Sequence, residues 1–380
     1  MTVTIQNPKK MTHVDWDAVR REFPALDSWT YLNTATFGQL PRRATDAVAR
    51  HFAHRDELAC GDFLAWYDDA DRIRAKIGRL INCAPQDLAF VPNASTALGL
   101  LLAGIDWQPG DRVLTLQHEF PNNLYAPGLL QRFGVETIAC PWDCFYDSVN
   151  ARTRLAIVSS TNYNTGFTPP LAEMSDYLHA RDVLLYVDGT QSVGALRFDA
   201  ARIQPDMLAV HGYKWLLSPN GAGFFYIAPQ LRERLHPNVV GWRSHRDWRN
   251  VDNLHHGVPE LLASAEKYEG GSVSFALLYA MEASLDLILE IGPDVIEQRV
   301  LDLAAKARGM LCGLGAKVAG CASPVVAARF DGLDVSAVAR ALQEQRILVA
   351  ARRGHLRVSP HLYNNEQDLE ILERALRALL

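Results

Sequence analysis

The chain is expected to fold as an α/β protein, with a large, doubly wound, mainly parallel sheet domain followed by a smaller α+β domain at the C-terminus. Three observations carry that expectation. Short apolar runs at Leu88 to Val91, Arg112 to Leu116, Leu155 to Ser159, Leu184 to Asp188 and Met207 to Val210 alternate with helix-forming stretches. That alternation is the pattern of parallel strands joined by helices that cover both faces of a sheet. Beyond a helical pattern broken at Gly292-Pro293, strands near Val325 to Phe330 and up to Val358 flank a helix from Asp334 to Arg346. Finally, 380 residues at 48% hydrophobic content suffice for one large core and one smaller one. The expected division is an N-terminal arm and helix at 1–27, a large domain at 28–270 and a small domain at 271–380.

In chain order, residues 1–13 read as a polar arm, and Trp16, Val19 and Phe23 recur as on one face of a short amphipathic helix. YLNTATFGQLP, from Tyr31 to Pro41, then turns into a helical stretch from Arg42 to Leu80. The run LAFVPNASTALGLLLAGI breaks at Pro92 and meets Ser95 and Thr96 at the start of an apolar helix. Hydroxyl residues there serve either as plain caps or as part of a phosphate site, because free N–H groups and the helix dipole favour an anion. A helix from about Leu171 to Ala180 leads back to the strand ending at Asp188. An apolar helical pattern covers Phe275 to Leu289 and resumes to about Leu311, and Asn365 with Asp368 three residues on caps a last helix.

Several classes of function are excluded or disfavoured. A net charge of -5 carries no signal for nucleic acid. The longest apolar runs, such as LGLLLAGI, fall far short of the roughly 20 residues of a membrane helix. A cytoplasmic protein is expected. Six cysteines form no framework, Cys140 and Cys144 lack a second pair, and the histidines between His236 and His256 lack HExxH spacing, so no metal is expected. NGAGFF precedes a strand, whereas a dinucleotide fingerprint would open a helix.

The chemistry concentrates between Tyr186 and Trp215. One buried strand ends on Asp188, and a second runs into His211, Gly212, Tyr213 and Lys214. Acid and amine thus reach the same sheet edge, where α/β proteins bind ligands. Pyridoxal phosphate (PLP) chemistry needs that pair: the lysine forms a Schiff base with the aldehyde, and the aspartate partners the pyridinium nitrogen. Exposed, unrelated side chains are the alternative for any isolated Asp and Lys.

The run VDGTQSVGALRFDAARIQPDMLAVHGYKWLLSPNGAGFFYI resembles the core of the class V aminotransferase family of fold-type I PLP enzymes, which includes cysteine desulfurases, kynureninase and isopenicillin N epimerase. Further matches run in family order from Tyr31 to about Asn365. The resemblance implies a catalytic Lys214 and Asp188. It implies that Ser95, Thr96, His211, Tyr213 and, from a partner subunit, Ser272 and Trp242 hold phosphate. Phe120, in a loop reading EFPNN, would stack on the ring, with His118 and Asn123 near the substrate or ring hydroxyl. Asn162 and Gln191 would address the phenolic oxygen. Arg357 would grip the substrate carboxylate, a task suited to its planar fork, with Asn33, Thr34 and Ala35 lining the mouth. A homodimer with shared active sites and an amino acid substrate follow from the same likeness. His118, Arg243 and His255 are candidate specificity positions.

One departure narrows the reaction. Desulfurases of this family carry a cysteine on a loop upstream of the arginine, whereas this chain reads ARRGHLRVSPHLYNN there and has no cysteine after Cys321. A persulfide route is disfavoured. Aminotransferase-like chemistry leads, with a C–S or other β-lyase, an epimerase, and a non-catalytic binding protein on the same scaffold as alternatives.

Overall fold

The computed structural model describes residues 14–380; the expected arm at 1–13 lies outside them. Seven strands form the large sheet in the order Leu88–Val91, Gly223–Ile227, Met207–His211, Leu184–Asp188, Thr153–Ser159, Arg112–Leu116, Glu136–Cys140. All run parallel except Gly223–Ile227, which is antiparallel to both neighbours. The exception has a simple cause. Only residues 212–222 separate it from the preceding strand, too few for the helical crossover that a parallel return needs.

Inner strands are buried on both faces, so they read as continuous apolar runs. Leu185, Val187, Leu208, Val210, Phe224 and Tyr226 enter one core with the helices Ala65–Ile81, Leu171–His179 and Phe275–Ile291. Their alternating neighbours Tyr186, Met207, Ala209, Phe225 and Ile227 enter a second core beneath the helix Ala94–Gly104. The expected doubly wound sheet is present, with mixed strand direction. Glu136–Cys140 was not expected; it is an edge strand whose exposed and half-buried residues carry no clear period.

The helical stretch expected from Arg42 to Leu80 is two helices, Arg42–Leu58 and Ala65–Ile81. Ala59 and Cys60 adopt left-handed backbone, which ends the first and lets both pack on Phe275–Ile291. The smaller sheet is antiparallel throughout, in the order Ala350–Arg352, His355–Val358, Val326–Arg329, Lys317–Val318. It packs with the helices Pro293–Gly313, Val335–Glu344 and Glu366–Leu379 around a third core. The last helix starts with the Asn365–Asp368 capping box. Because Phe275–Ile291 packs on Arg42–Leu58 and Ala65–Ile81 and Pro293–Gly313 on the small sheet, we propose that the changeover between the two bodies falls at Gly292-Pro293.

Residues 30–38 stitch the two bodies together. Thr30–Tyr31 pairs in parallel with Ile347–Leu348, Asn33 bridges to Ser359, and Gly38 N donates to Tyr213 O at 2.8 Å. No helix among the described residues is long and apolar enough to cross a membrane.

Candidate active site

At the carboxyl edge of the large sheet, Ser159 and Asp188 are directly opposed, and Asp188 is paired with Ala209 on the third strand. That strand ends at His211, and Lys214 follows in the connecting loop. The helix Ala94–Gly104 and the loop after Arg112–Leu116 open onto the same edge. As a result Ser95, Phe120, Asp188, Gln191, His211, Tyr213 and Lys214 all line one cavity.

Lys214 is buried, and its loop is held from several sides. Gly38 donates to Tyr213 O, Ser284 Oγ to Leu217 O at 2.7 Å, and His361 Nε2 to Trp215 O at 2.8 Å. Trp215 Nε1 in turn donates to Gln191 Oε1 at 2.8 Å. Gly38 is required here because a Cβ would lie 1.9 Å from Lys214 O. Burial pushes the Lys214 ammonium down to about 8, against the opposing pull of Asp188 and with help from Arg357 and Arg352. Near neutral pH about one lysine in ten is then a free amine, several-hundredfold more than for an exposed lysine.

His361, absent from the sequence expectations, has both ring nitrogens engaged, since Nδ1 accepts from Leu362 N at 2.7 Å. Burial pushes it down to about 4. Below its ordinary value near 6.5 the unfolded chain takes up a proton that the native ring refuses. This contribution is complete above about pH 6.5 and is lost as pH falls toward 4, by about 3 kcal/mol at the low end. Urea unfolding at pH 7 and pH 4.5 should show that loss in the wild type and a shallower one in His361→Gln.

Asp188 Oδ1 accepts from Thr190 N at 2.9 Å, and its second oxygen has no partner among the described residues. Asn93 caps the neighbouring helix by accepting from Thr96 N at 2.9 Å, so Ser95 and Thr96 are its second and third residues. The N–H groups of Ala94 and Ser95 stay free and face the cavity end. His211 is pushed down to about 4, first by burial and then by Lys214. Its Nε2 accepts from Gly221 N at 3.4 Å, which leaves Nδ1–H as the ring's donor. Phe120 stands edge-on to Tyr163 with 5.4 Å between centroids, and Lys214 Nζ lies 5.4 Å from the Phe120 ring.

Arg357 is 2% exposed and has no carboxylate partner among the described residues. Nη1 donates to Tyr163 O at 2.6 Å, Nη2 reaches Thr36 Oγ1 and Asn33 Oδ1, and Nε is unsatisfied. Burial, then Arg352, pushes the guanidinium down to about 10. Asn33 and Arg357 are thus brought together, although one lies near the start of the chain and the other near its end.

Arg357 adjoins the cavity through Tyr163 without lining it, and Asn33 and the other expected residues also sit outside its lining. Asn162 donates to His118 O and accepts from Asn164 N and Thr165 N, bracing its own loop. Thr96 is tied to Asn93. Ser272 is exposed and accepts from Tyr67 OH at 3.3 Å, near Trp242, away from this chain's own cavity. Asn123 is buried and donates to Glu119 and Ser159, so it supports the loop from behind. Arg243 is fully buried in an ionic cluster with Glu266, Glu269 and Arg74, and His255 stacks on His245. Neither suits a specificity position. Besides His361 and Asn93, Thr190, Tyr163 and Glu119 were missed. Glu119 is a buried carboxylate that accepts from Ser159 N and Phe120 N, holding the Phe120 loop against the strand beside Asp188.

These groups fit PLP. The cavity has an amine inside, a carboxylate with one free oxygen, an exposed aromatic face, and unpaired N–H groups at a helix start where a phosphate is stabilised. Fold and site together define a PLP-dependent enzyme of fold type I. The chain belongs to the aminotransferase class-V family, whose model matches residues 31–377. It is 29% identical to isopenicillin N epimerase of Streptomyces clavuligerus, over 97% of this chain and 99% of that protein. It is 23% identical to a probable cysteine desulfurase of Methanothermobacter thermautotrophicus, over 95% of this chain and 97% of that one. Among solved structures, a mutant of C-DES with glycine covalently linked to its PLP cofactor superposes with a TM-score of 0.86 at 25% identity, covering 94% of this chain and 98% of that one. The Escherichia coli cysteine desulfurase CsdA shares the fold with a TM-score of 0.85 at 22% identity, covering 97% and 99%.

Proposed function

We propose that this chain acts on the α-carbon of an amino acid, with aminotransferase-like chemistry as the leading reading. When bound, PLP supplies an electron sink for the pair left by a broken bond at that carbon. Lys214 holds the cofactor and then moves the α-proton, for which its lowered pKa suits it. Asp188 sustains the positive charge on the ring nitrogen. Ala94 and Ser95 N–H, His211 and Tyr213 hold the phosphate, and Phe120 covers the ring. Arg357 receives the substrate carboxylate beside Asn33. The observation that carries this reading is the pairing of a buried amine at a strand-end carboxylate with a buried arginine that lacks an anion.

A β-lyase is the second reading, favoured by the likeness to C-DES, described as a cystine C–S lyase. Desulfuration through a protein thiol finds no support. No cysteine lines the cavity among the described residues, and Cys321 packs its Sγ 3.5 Å from Gly166 O. A homodimer is supported by exposed Val239, Val240, Trp242, Leu254, Val258 and Leu261 on the segment that leads to Ser272. Six unpaired cysteines suit a reducing compartment such as the cytoplasm.

The test is to follow the visible absorbance of the purified protein as single amino acids are added without a keto-acid acceptor. Stoichiometric conversion to the pyridoxamine form, with one equivalent of keto acid, is expected for transamination. Return of the original band while pyruvate or another fragment accumulates over many turnovers identifies a lyase. A protein with no cofactor band after PLP is supplied contradicts both.

A further inference from the structure

We propose that the substrate carries a second negative charge on its side chain, received by Arg352 and Arg353 on the hairpin that also bears Arg357. This deepens, and rests on, the reading of Arg357 as the α-carboxylate site. The hairpin pairs Ala350 with Arg357, Ala351 with Leu356 and Arg352 with His355. Directly opposed residues share a face and successive residues alternate. Arg352 and His355 therefore lie on the face of Arg357, while Leu356 turns the other way into the small-domain core.

The turn residues Arg353 and Gly354 have φ of 46° and 80°. Two consecutive left-handed residues make the tight turn that keeps the hairpin short. From it Arg353 Nη2 reaches His118 Nδ1 at 3.3 Å, two residues from Phe120. The cationic tip thus sits beside the loop that carries Phe120, one of the residues lining the cavity. Arg352 is near enough to depress the ionisation of both Lys214 and Arg357.

Arg352 and Arg353 are exposed, so water meets their charge in the free protein and leaves both open to an incoming anion. Arg352, Arg353 and Arg357 have no ion-pair partner among the described residues, and Asp188 is the one carboxylate lining the cavity. The cofactor phosphate is assigned to the helix start at Ala94, and a single α-carboxylate satisfies only Arg357. The rung of Arg352 and His355 lies two residues along the strand from Arg357, about 7 Å. Two anionic groups joined by four or five carbon–carbon bonds of about 1.5 Å each span a comparable length, and the flexible arginine side chains take up the remainder. Glutamate and its next homologue have this form, and glutamine is the uncharged isostere.

The test is an absorbance titration of the holoenzyme with L-glutamate and L-glutamine, supported by glutarate and butyrate, which lack the reacting amine. Glutamate should bind about fivefold more tightly than glutamine, and glutarate should perturb the cofactor band at concentrations where butyrate does not. In Arg352→Gln/Arg353→Gln both preferences should disappear, and high salt should weaken them in the wild type. Equal affinity for glutamate and glutamine, or a preference that survives in the double variant, overturns the proposal and leaves Lys214 and Arg357 in their roles. Failure of every amino acid to change the band overturns the reading of Arg357 as well.

Discussion

Lys214→Ala is expected to leave a folded protein that binds PLP without attaching it, with turnover reduced by at least about 1,000-fold. Stability should change little. The side chain is a buried amine whose charged form is disfavoured by desolvation, and its loop is held by Gly38, Ser284 and His361 through backbone atoms. Borohydride reduction followed by mass spectrometry separates the roles. The wild type should gain the mass of the reduced cofactor, and the variant should not. Only the unprotonated amine attacks an aldehyde, so cofactor attachment to wild-type apoprotein should speed up with rising pH through a midpoint near 8, where burial has set this lysine. A covalent adduct in the variant, or a midpoint near that of an exposed lysine, would show that the reactive amine lies elsewhere.

Arg357→Met should separate function from stability. The guanidinium is buried without a carboxylate partner among the described residues, where its Nε is also unsatisfied, and is pushed down to about 10 chiefly by desolvation. Replacing it by an apolar side chain of similar length removes that desolvation cost, so the melting temperature should stay the same or rise. Catalysis should move the other way. A buried charge-assisted pair is worth about 2–5 kcal/mol, so kcat/KM for an amino acid should fall by roughly 30- to 5,000-fold. The corresponding decarboxylated amine should lose nothing, because it never used the arginine. A large drop in stability, or an equal loss with the amine, would mark Arg357 as a structural residue instead.

Much of this protein was legible in the chain itself. Runs such as Leu184 to Asp188 and Met207 to Val210 are long enough and apolar enough to be strands buried on both faces, and the carboxylate or turn ending each one marks the sheet edge. Lys214, Asp188, Phe120 and Arg357 could therefore be picked out as candidates from local text and family likeness, and the fold brings the first three into one cavity. Errors arose where local text is weak. The edge strand Glu136–Cys140 has no periodic burial, and the break at Ala59 and Cys60 contains no proline.

What only the tertiary structure decided is which atoms are already occupied. Asn162 and Asn123 look like free amides in the sequence, yet their hydrogen bonds are spent on neighbouring loops. Arg243 reads like Arg357, but one is neutralised by Glu266 and Glu269 while the other has no anion among the described residues. His361 and Glu119 act through contacts with residues 146 and 40 positions away. Strand and helix patterns are written at short range because they depend on which face each successive side chain presents. Whether a buried polar group is satisfied depends on partners brought by distant segments, so the residue types were determined by the sequence and their availability for chemistry by the fold.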